Sequence, residues 1–484
     1  MNKSTIKIEK SALYFLFLLV ILACYNSVFL TQYGFSDDWA YIYGSVHDPF
    51  ELLKWDILTG RPSYGVIRWL FSFMAGSVAA LSVLRLISVA TLFILCIFIY
   101  TFVTERKIFS STLQRAVFSL LICMLPSFQV YTAWTICFPF ITSVIFAGLS
   151  YNVLSRSNTL RGAAAALLLL IVAFSLYQPT AMCFVFFAFL DLVIAKEKIR
   201  PGTFFRPAAI LFLGMAAAFL MAKALPFLLF GEIATRTAIS FDIISKIKWF
   251  VSEPLINAIC NFNLGKKALY VTVSTLIVLY GIFSLSKSGN KKHLLLYVML
   301  FALAASSPGM LVKESWAAYR TVPAITMVVT TLFIFGLFTL FEKYKFQQTG
   351  YFSLVLIVMI VTNNNVQAGF STPQQIEYQV LRKEIINTVP QDYTGTLFFN
   401  KPDNRSRPYA GKQRYDEFGA FSLGMDWTFK GMALVIKNKE NMNYNIADNP
   451  IISEHNRDTQ YCRSGLLRPD NSRCAVSISP VSDL

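Results

Sequence analysis

SALYFLFLLVILACYNSVFL, residues 11–30, is followed three residues later by GFSDDWAYIYG, residues 34–44. The first stretch is uncharged and, at about 1.5 Å per helical residue, long enough to cross a hydrocarbon core of roughly 30 Å. Lys3, Lys7 and Lys10 precede it, and such charge keeps the start of a span cytoplasmic. Two adjacent carboxylates, Asp37 and Asp38, are therefore expected just outside the far side of the membrane. Local chemistry explains part of this stretch. Ser36 is placed to cap a short helix, acids in the first turn suit the helix dipole, and Gly44 can end the turn. It does not explain Phe35, Trp39, Tyr41 and Tyr43 around the acids, although such rings also anchor proteins at membrane interfaces.

The composition extends this membrane signature to the whole chain. Of 484 residues, 55% are hydrophobic and 14% charged, against about 25% charged in soluble domains; the mean hydropathy is +0.53. The net charge of +16 forms no nucleic-acid patch, because residues 1–369 hold 29 Lys and Arg against 14 Asp and Glu, and residues 370–484 hold 14 against 13. The basic surplus belongs to the membrane region, as the positive-inside rule requires.

Taken in order, the polar-aromatic segment after the first span contains Pro49 followed by Phe50, Leu52, Leu53 and Ile57 with charges between, a pattern that predicts an amphipathic surface helix. Residues 63–80 also read as interfacial. Further spans are expected near 82–104, 114–131, 136–154, 161–177, 180–195 and 207–229, then 268–286, 293–310, 321–341 and 350–368. The basic loops TERK, SRSNTLR and KEKIRPGTFFR fall on one side and set it as cytoplasmic. Residues 231–265 form a second long external loop with a helical apolar pattern. The expected fold is an all-α polytopic membrane protein with about eleven spans. Its transmembrane module covers residues 1–368, with external loops 31–81 and 231–265, and a small C-terminal α+β periplasmic domain covers 369–484.

Six cysteines, Cys24, Cys96, Cys123, Cys137, Cys183 and Cys260, lie in or beside apolar segments and read as small hydrophobes. Cys462 and Cys474 stand alone in the polar tail and are expected to form a disulfide in an oxidising compartment. Nucleotide loops and metal-ligand spacings are absent, and three histidines are too scattered for a metal cluster; no cofactor or metal is expected. Arg85, Asp191 and Lys223 are few and near span ends, which disfavours a proton-coupled transporter; Arg85 and Lys223 are expected to snorkel.

The Asp37-Asp38 pair after the first span, Gly60-Arg61-Pro62 ahead of the second, Tyr177-Gln178 before Pro179, the chain length and the polar tail together resemble the GT-C class of membrane glycosyltransferases. Within it the chain is similar to the phage-type serotype-converting O-antigen glucosyltransferases of the type II Gtr family. That resemblance implies a polyprenyl-phosphate sugar donor, undecaprenyl phosphate glucose, and a lipid-linked O-antigen acceptor of lipopolysaccharide at the bacterial inner membrane. A partner flippase and a donor-synthesising enzyme would accompany it. Asp37 or Asp38 would be the general base of an inverting, metal-independent transfer. Arg61 and Arg320, with Lys313 as a second candidate, would meet the phosphate. If KESWAAYR, residues 313–320, is helical, Lys313 and Arg320 share a face. Trp39, Tyr41, Tyr177 and Gln178 would contact substrate. Two alternatives remain. A lipid-linked oligosaccharide polymerase or flippase has no specific need of the acid pair, whereas a glycosyltransferase acting on lipid A or protein would share it.

Overall fold

The computed structural model describes residues 10–196, 200–233, 238–288, 293–400, 415–452 and 473–477. The chain opens with α1 (Lys10–Leu30), then α2 (Asp37–His47), α3 (Pro49–Leu58), α4 (Pro62–Leu70) and α5 (Val78–Glu105). Next come α6 (Thr112–Cys123), α7 (Pro126–Ala133), α8 (Phe140–Arg156), α9 (Leu160–Leu176), α10 (Gln178–Ala181), α11 (Cys183–Phe189) and α12 (Phe205–Phe230). The second long loop folds as α13 (Ile243–Ser252) and α14 (Pro254–Ile259); α15 (Ala268–Ser288), α16 (Leu294–Ala305), α17 (Ser307–Leu311), α18 (Pro323–Lys343) and α19 (Gln347–Val366) complete the apolar body.

Among the described residues, seven helical stretches are long and apolar enough to cross a membrane. The pair α6 and α7 adds an eighth if its 56° bend lies within one span, the break falling where Pro126 interrupts the apolar run. Three shorter apolar helices, Leu160–Leu176, Gln178–Ile194 and Leu294–Ala305, lie among them. The chain is thus a largely helical polytopic protein.

Close packing follows the small residues. A Cβ on Gly281 would meet the Leu332 carbonyl oxygen at 2.2 Å, and one on Gly336 the Ile277 oxygen at 2.4 Å, so these two glycines let α15 and α18 touch along their backbones. Tyrosine hydroxyls tie the first loop to the body: Tyr25 donates to the Cys123 carbonyl at 2.7 Å, Tyr33 to Ala133 at 2.8 Å and Tyr64 to Ile136 at 3.0 Å.

The tail begins without a break. A π-helical turn at Gln367–Ser371 joins α19 to α20 (Thr372–Thr388), giving one helical run of 42 residues from Gln347 to Thr388. The expected boundary at 368/369 falls inside that run. Beyond it lie β1 (Thr396–Asn400), α21 (Phe429–Glu440), β2 (Asn445–Ile452) and β3 (Arg473–Ser477), with β1 paired in parallel to both other strands. Leu397 and Phe399 of the central strand are fully buried, as a strand flanked on both sides demands. Phe399 stacks on Phe429 of α21 with centroids 4.6 Å apart.

The tail is locked onto the first loop. The Glu377 carboxylate accepts the backbone N–H groups of Ser422 and Leu423, and the Ser36 N–H donates to Ser422 Oγ at 2.9 Å. Trp39 stacks on Tyr378 at 5.6 Å. A Cβ on Gly431 would lie 2.0 Å from the Trp39 carbonyl oxygen, so α21 lies directly against the backbone of α2.

Candidate functional site

The two adjacent acids of the first loop have different fates. Successive residues on a helix point about 100° apart, and on α2 that rotation carries Asp38 into the protein and Asp37 to its half-buried edge. Asp38 is wholly buried. It accepts the N–H groups of Phe35 at 3.1 Å, Ile136 at 3.0 Å and Thr135 at 3.4 Å, with Arg85 Nη1 at 4.0 Å. Burial raises its carboxyl to about 6, opposed by the Arg85 charge and these N–H donors.

Arg85 completes this fastening. Its guanidinium donates to the carbonyls of Val28 at 2.5 Å, Tyr33 at 2.9 Å and Thr31 at 3.3 Å, and to Thr135 Oγ1 at 2.8 Å. The expectation that Arg85 snorkels is therefore wrong: with no exposed surface, it binds the loop that carries the acids. The Ser36 cap is a second correction. Ser36 has φ 49° and its side chain makes no capping bond; the Asp38 carboxylate takes the Phe35 N–H instead. Gly44 does not end the helix either, because α2 continues to His47.

Asp37 is the freer acid. It accepts the Ser36 hydroxyl at 3.3 Å, and its charge is felt at Arg320, Asp56 and Cys137. Arg61 reaches the same neighbourhood from the Gly60-Arg61-Pro62 turn. Gly60 has φ +80° and lies so near α12 that a Cβ would be 3.0 Å from Ala222 Cβ, while Pro62 opens α4. The Gln178 side-chain amide donates to the Gly60 carbonyl at 2.9 Å, so Gln178 supports the turn. Arg61 is mostly buried, stands 5.0 Å over the Tyr64 ring and lies 3.9 Å from Asp56.

Asp56 itself is taken by Arg68 at 2.9 Å. Burial raises the Asp56 carboxyl, opposed by the charges of Arg68 and Arg61. Arg68 was expected at a membrane interface in residues 63–80; it is buried instead, within 5.4 Å of the Tyr41 ring and 5.5 Å of the Tyr64 ring.

Arg320 enters from the loop before α18. Its guanidinium lies between the Trp134 and Trp316 rings, 4.5 and 4.6 Å away, and its Nε is 3.6 Å from a Glu417 oxygen. Residues 313–318 are not helical and a single 3-10 turn covers Tyr319–Thr321, so Lys313 and Arg320 do not share a helix face. The cause is Lys246 of α13, a buried lysine that donates to the carbonyls of Gly309, Lys313 and Glu314 and to Ser315 Oγ at 3.0 to 3.3 Å. Those bonds hold the segment extended and leave the Lys313 side chain exposed, apart from Arg320.

The aromatic candidates are packing residues. Trp39 is fully buried under Tyr378. Tyr41 is buried and donates its hydroxyl to the Arg68 carbonyl at 2.7 Å. Tyr177 stacks on Phe140 at 3.8 Å, and the charges of Arg320 and Arg61 both reach it. Cys474 is disulfide-bonded, whereas its expected partner, Cys462, lies outside the described residues.

One pair of acids escaped the sequence analysis. The tail segment Tyr415-Asp416-Glu417-Phe418-Gly419 turns back on itself, and the Asp416 carboxylate accepts the Tyr319 N–H at 2.9 Å. Glu417 is buried against Arg320, and burial together with the adjoining Asp416 charge raises its carboxyl to about 8, against the pull of Arg320. The signal was present as a second acidic pair flanked by aromatics, but it lies almost four hundred residues from the first.

The charges of Asp37, Tyr177 and Glu417 thus reach Arg320, and that of Arg61 reaches Tyr177, where the first loop, the loop before α18 and the tail meet. Such a region can take a proton at one end and neutralise an anion at the other. No protein-family model and no curated protein matches this chain.

Proposed function

We propose that this chain is a membrane glycosyltransferase of the GT-C type, transferring a glucosyl group from polyprenyl phosphate to a lipid-linked O-antigen repeat. In this reading eleven crossings put the N-terminus in the cytoplasm and the tail in the periplasm of a bacterial inner membrane. The observation that carries it is the division of labour at residues 37 and 38. Asp38 is saturated by backbone donors, whereas Asp37 keeps an accessible carboxylate whose charge reaches Arg320.

The acceptor hydroxyl gives its proton to Asp37 as its oxygen attacks the anomeric carbon. The carbon–oxygen bond to phosphate breaks on the opposite face, and polyprenyl phosphate leaves with the electron pair. Arg320 and Arg61 offset the negative charge that builds there. The product glycoside is inverted.

Reconstituted protein supplied with radiolabelled polyprenyl-phosphate glucose and lipid-linked O-antigen tests the reading. Label is expected in the acceptor, and Arg320→Lys, which keeps the charge but loses the paired donors, is expected to slow transfer by about tenfold or more. No transfer from any polyprenyl-phosphate sugar would reject the reading.

A further inference from the structure

Apart from the convergence of acids and arginines, the molecule has a cleft of about 540 Å³ between α2 and the tail, within the range of roughly 300–1,000 Å³ usual for ligand sites. Its floor on one side is Ala40, Tyr43 and Gly44 of α2; the other side is built from Trp427, Lys430 and Asp448 of the tail. The floor has a direct relation to Asp37. Ala40 stands about 4.5 Å along the α2 axis from Asp37 and Gly44, whose Cβ side packs on Leu52 of α3, about 10 Å, so the cleft begins one helical turn from Asp37.

The lining defines what would bind. Trp427 is 51% exposed, a large ring left in water at the mouth of a concave site. Asp426, Asp448 and Asn449 add carboxylate and amide groups beside it, suited to paired hydroxyls. Lys430, the lysine in the lining, lies 5.2 Å over the Tyr43 ring, so the site offers little to an anion. An aromatic face with acceptors at its rim fits a neutral polyhydroxylated chain, whose C–H faces stack on rings while its hydroxyls donate to carboxylates.

The geometry points to this cleft as a binding subsite for a neutral oligosaccharide, holding the sugars of the acceptor glycan beyond the one that reacts at Asp37. The inference rests on the glycosyl-transfer reading for its role. The occupancy of the cleft can be measured without transfer.

Purified full-length protein would be screened in detergent against an array of defined neutral oligosaccharides of two to eight sugars, with sialylated and sulfated chains as anionic controls. Wild type is expected to bind a subset of the neutral chains and none of the anionic ones. Trp427→Ala is expected to weaken that binding about tenfold or more, with Trp427→Phe recovering part of it and thermal unfolding unchanged in both. The same Ala variant is expected to raise the KM for the lipid-linked acceptor more than it lowers kcat. Wild type that binds no neutral chain, or a Trp427→Ala protein that binds as wild type does, overturns the subsite. Binding that depends on Trp427 in a protein that transfers no sugar would keep the cleft and remove the transferase reading instead.

Discussion

Two pairs of neighbouring acids, Asp37-Asp38 in the first loop and Asp416-Glu417 in the tail, both act on Arg320, and each pair is split in the same way. One member is a fastener: Asp38 holds the turn at 135–136 and Arg85, and Asp416 holds the Tyr319 N–H. The other member faces the shared region, Asp37 half-exposed and Glu417 buried beside Arg320. The difference lies in what each free carboxyl is surrounded by. Asp37 keeps access to water and so to a substrate hydroxyl. Glu417 is pushed by burial toward its neutral form and cannot serve as a base at neutral pH in the same way. A carboxylate saturated with donors is architecture, and chemistry falls to its neighbour.

Removing the first fastener should have the largest effect. Asp38→Ala strands the buried Arg85 charge and three N–H donors, and breaking such a buried arrangement costs about 3–5 kcal/mol. Little folded protein should survive detergent extraction, as read by size-exclusion fluorescence of a tagged chain; a normal profile would show that Asp38 holds nothing. Asp416→Ala removes one acceptor from Tyr319 N–H and should cost less, about 1–3 kcal/mol, lowering the melting temperature of the purified protein. An unchanged melting temperature would make the tail turn a passive contact.

The third effect belongs to Glu417 and appears as a pH dependence. Unfolded, this glutamate releases its proton near 4.5; folded, it keeps it to about 8. Between those values the folded state binds more protons, so stability from this group falls as pH rises. Asp38 acts with the same sign between 3.8 and about 6, and Asp56, also raised by burial, acts with that sign too, so the Glu417 share is the difference between wild type and Glu417→Gln across the window from pH 6 to 8. Melting temperatures measured across it should decline in wild type and decline less in Glu417→Gln; equal slopes would contradict the assigned protonation.

Much of this was legible in the sequence where one physical signal dominates. Uncharged apolar runs give apolar helices near their expected places, and the apolar residues at 50, 52, 53 and 57 with charges between them give α3, which runs over Pro49–Leu58. The adjacency of Asp37 and Asp38 already implied divergent roles, since a helix cannot point both at one hydroxyl. Three things were not legible, all set by distant contacts. Residues 313–320 have helix-favouring alanines, but the Lys246 ammonium gathers their carbonyls. Trp39 and Tyr41 look like a binding surface, yet α20 and α21 cover one and Arg68 engages the other. Glu417 reaches Arg320 only because the tail folds back over the first loop.

The central claim, that Asp37 rather than Asp38 takes the proton, is tested most directly by glucosyl transfer in membranes carrying Asp37→Asn or Asp38→Asn at matched folded protein. Asp37→Asn should lose about 10²- to 10⁴-fold in rate with normal yield, whereas Asp38→Asn should lower the yield of folded protein and leave the rate per folded molecule much nearer wild type. Near-normal transfer by Asp37→Asn, or a full catalytic loss confined to Asp38→Asn in well-folded protein, would contradict the assignment.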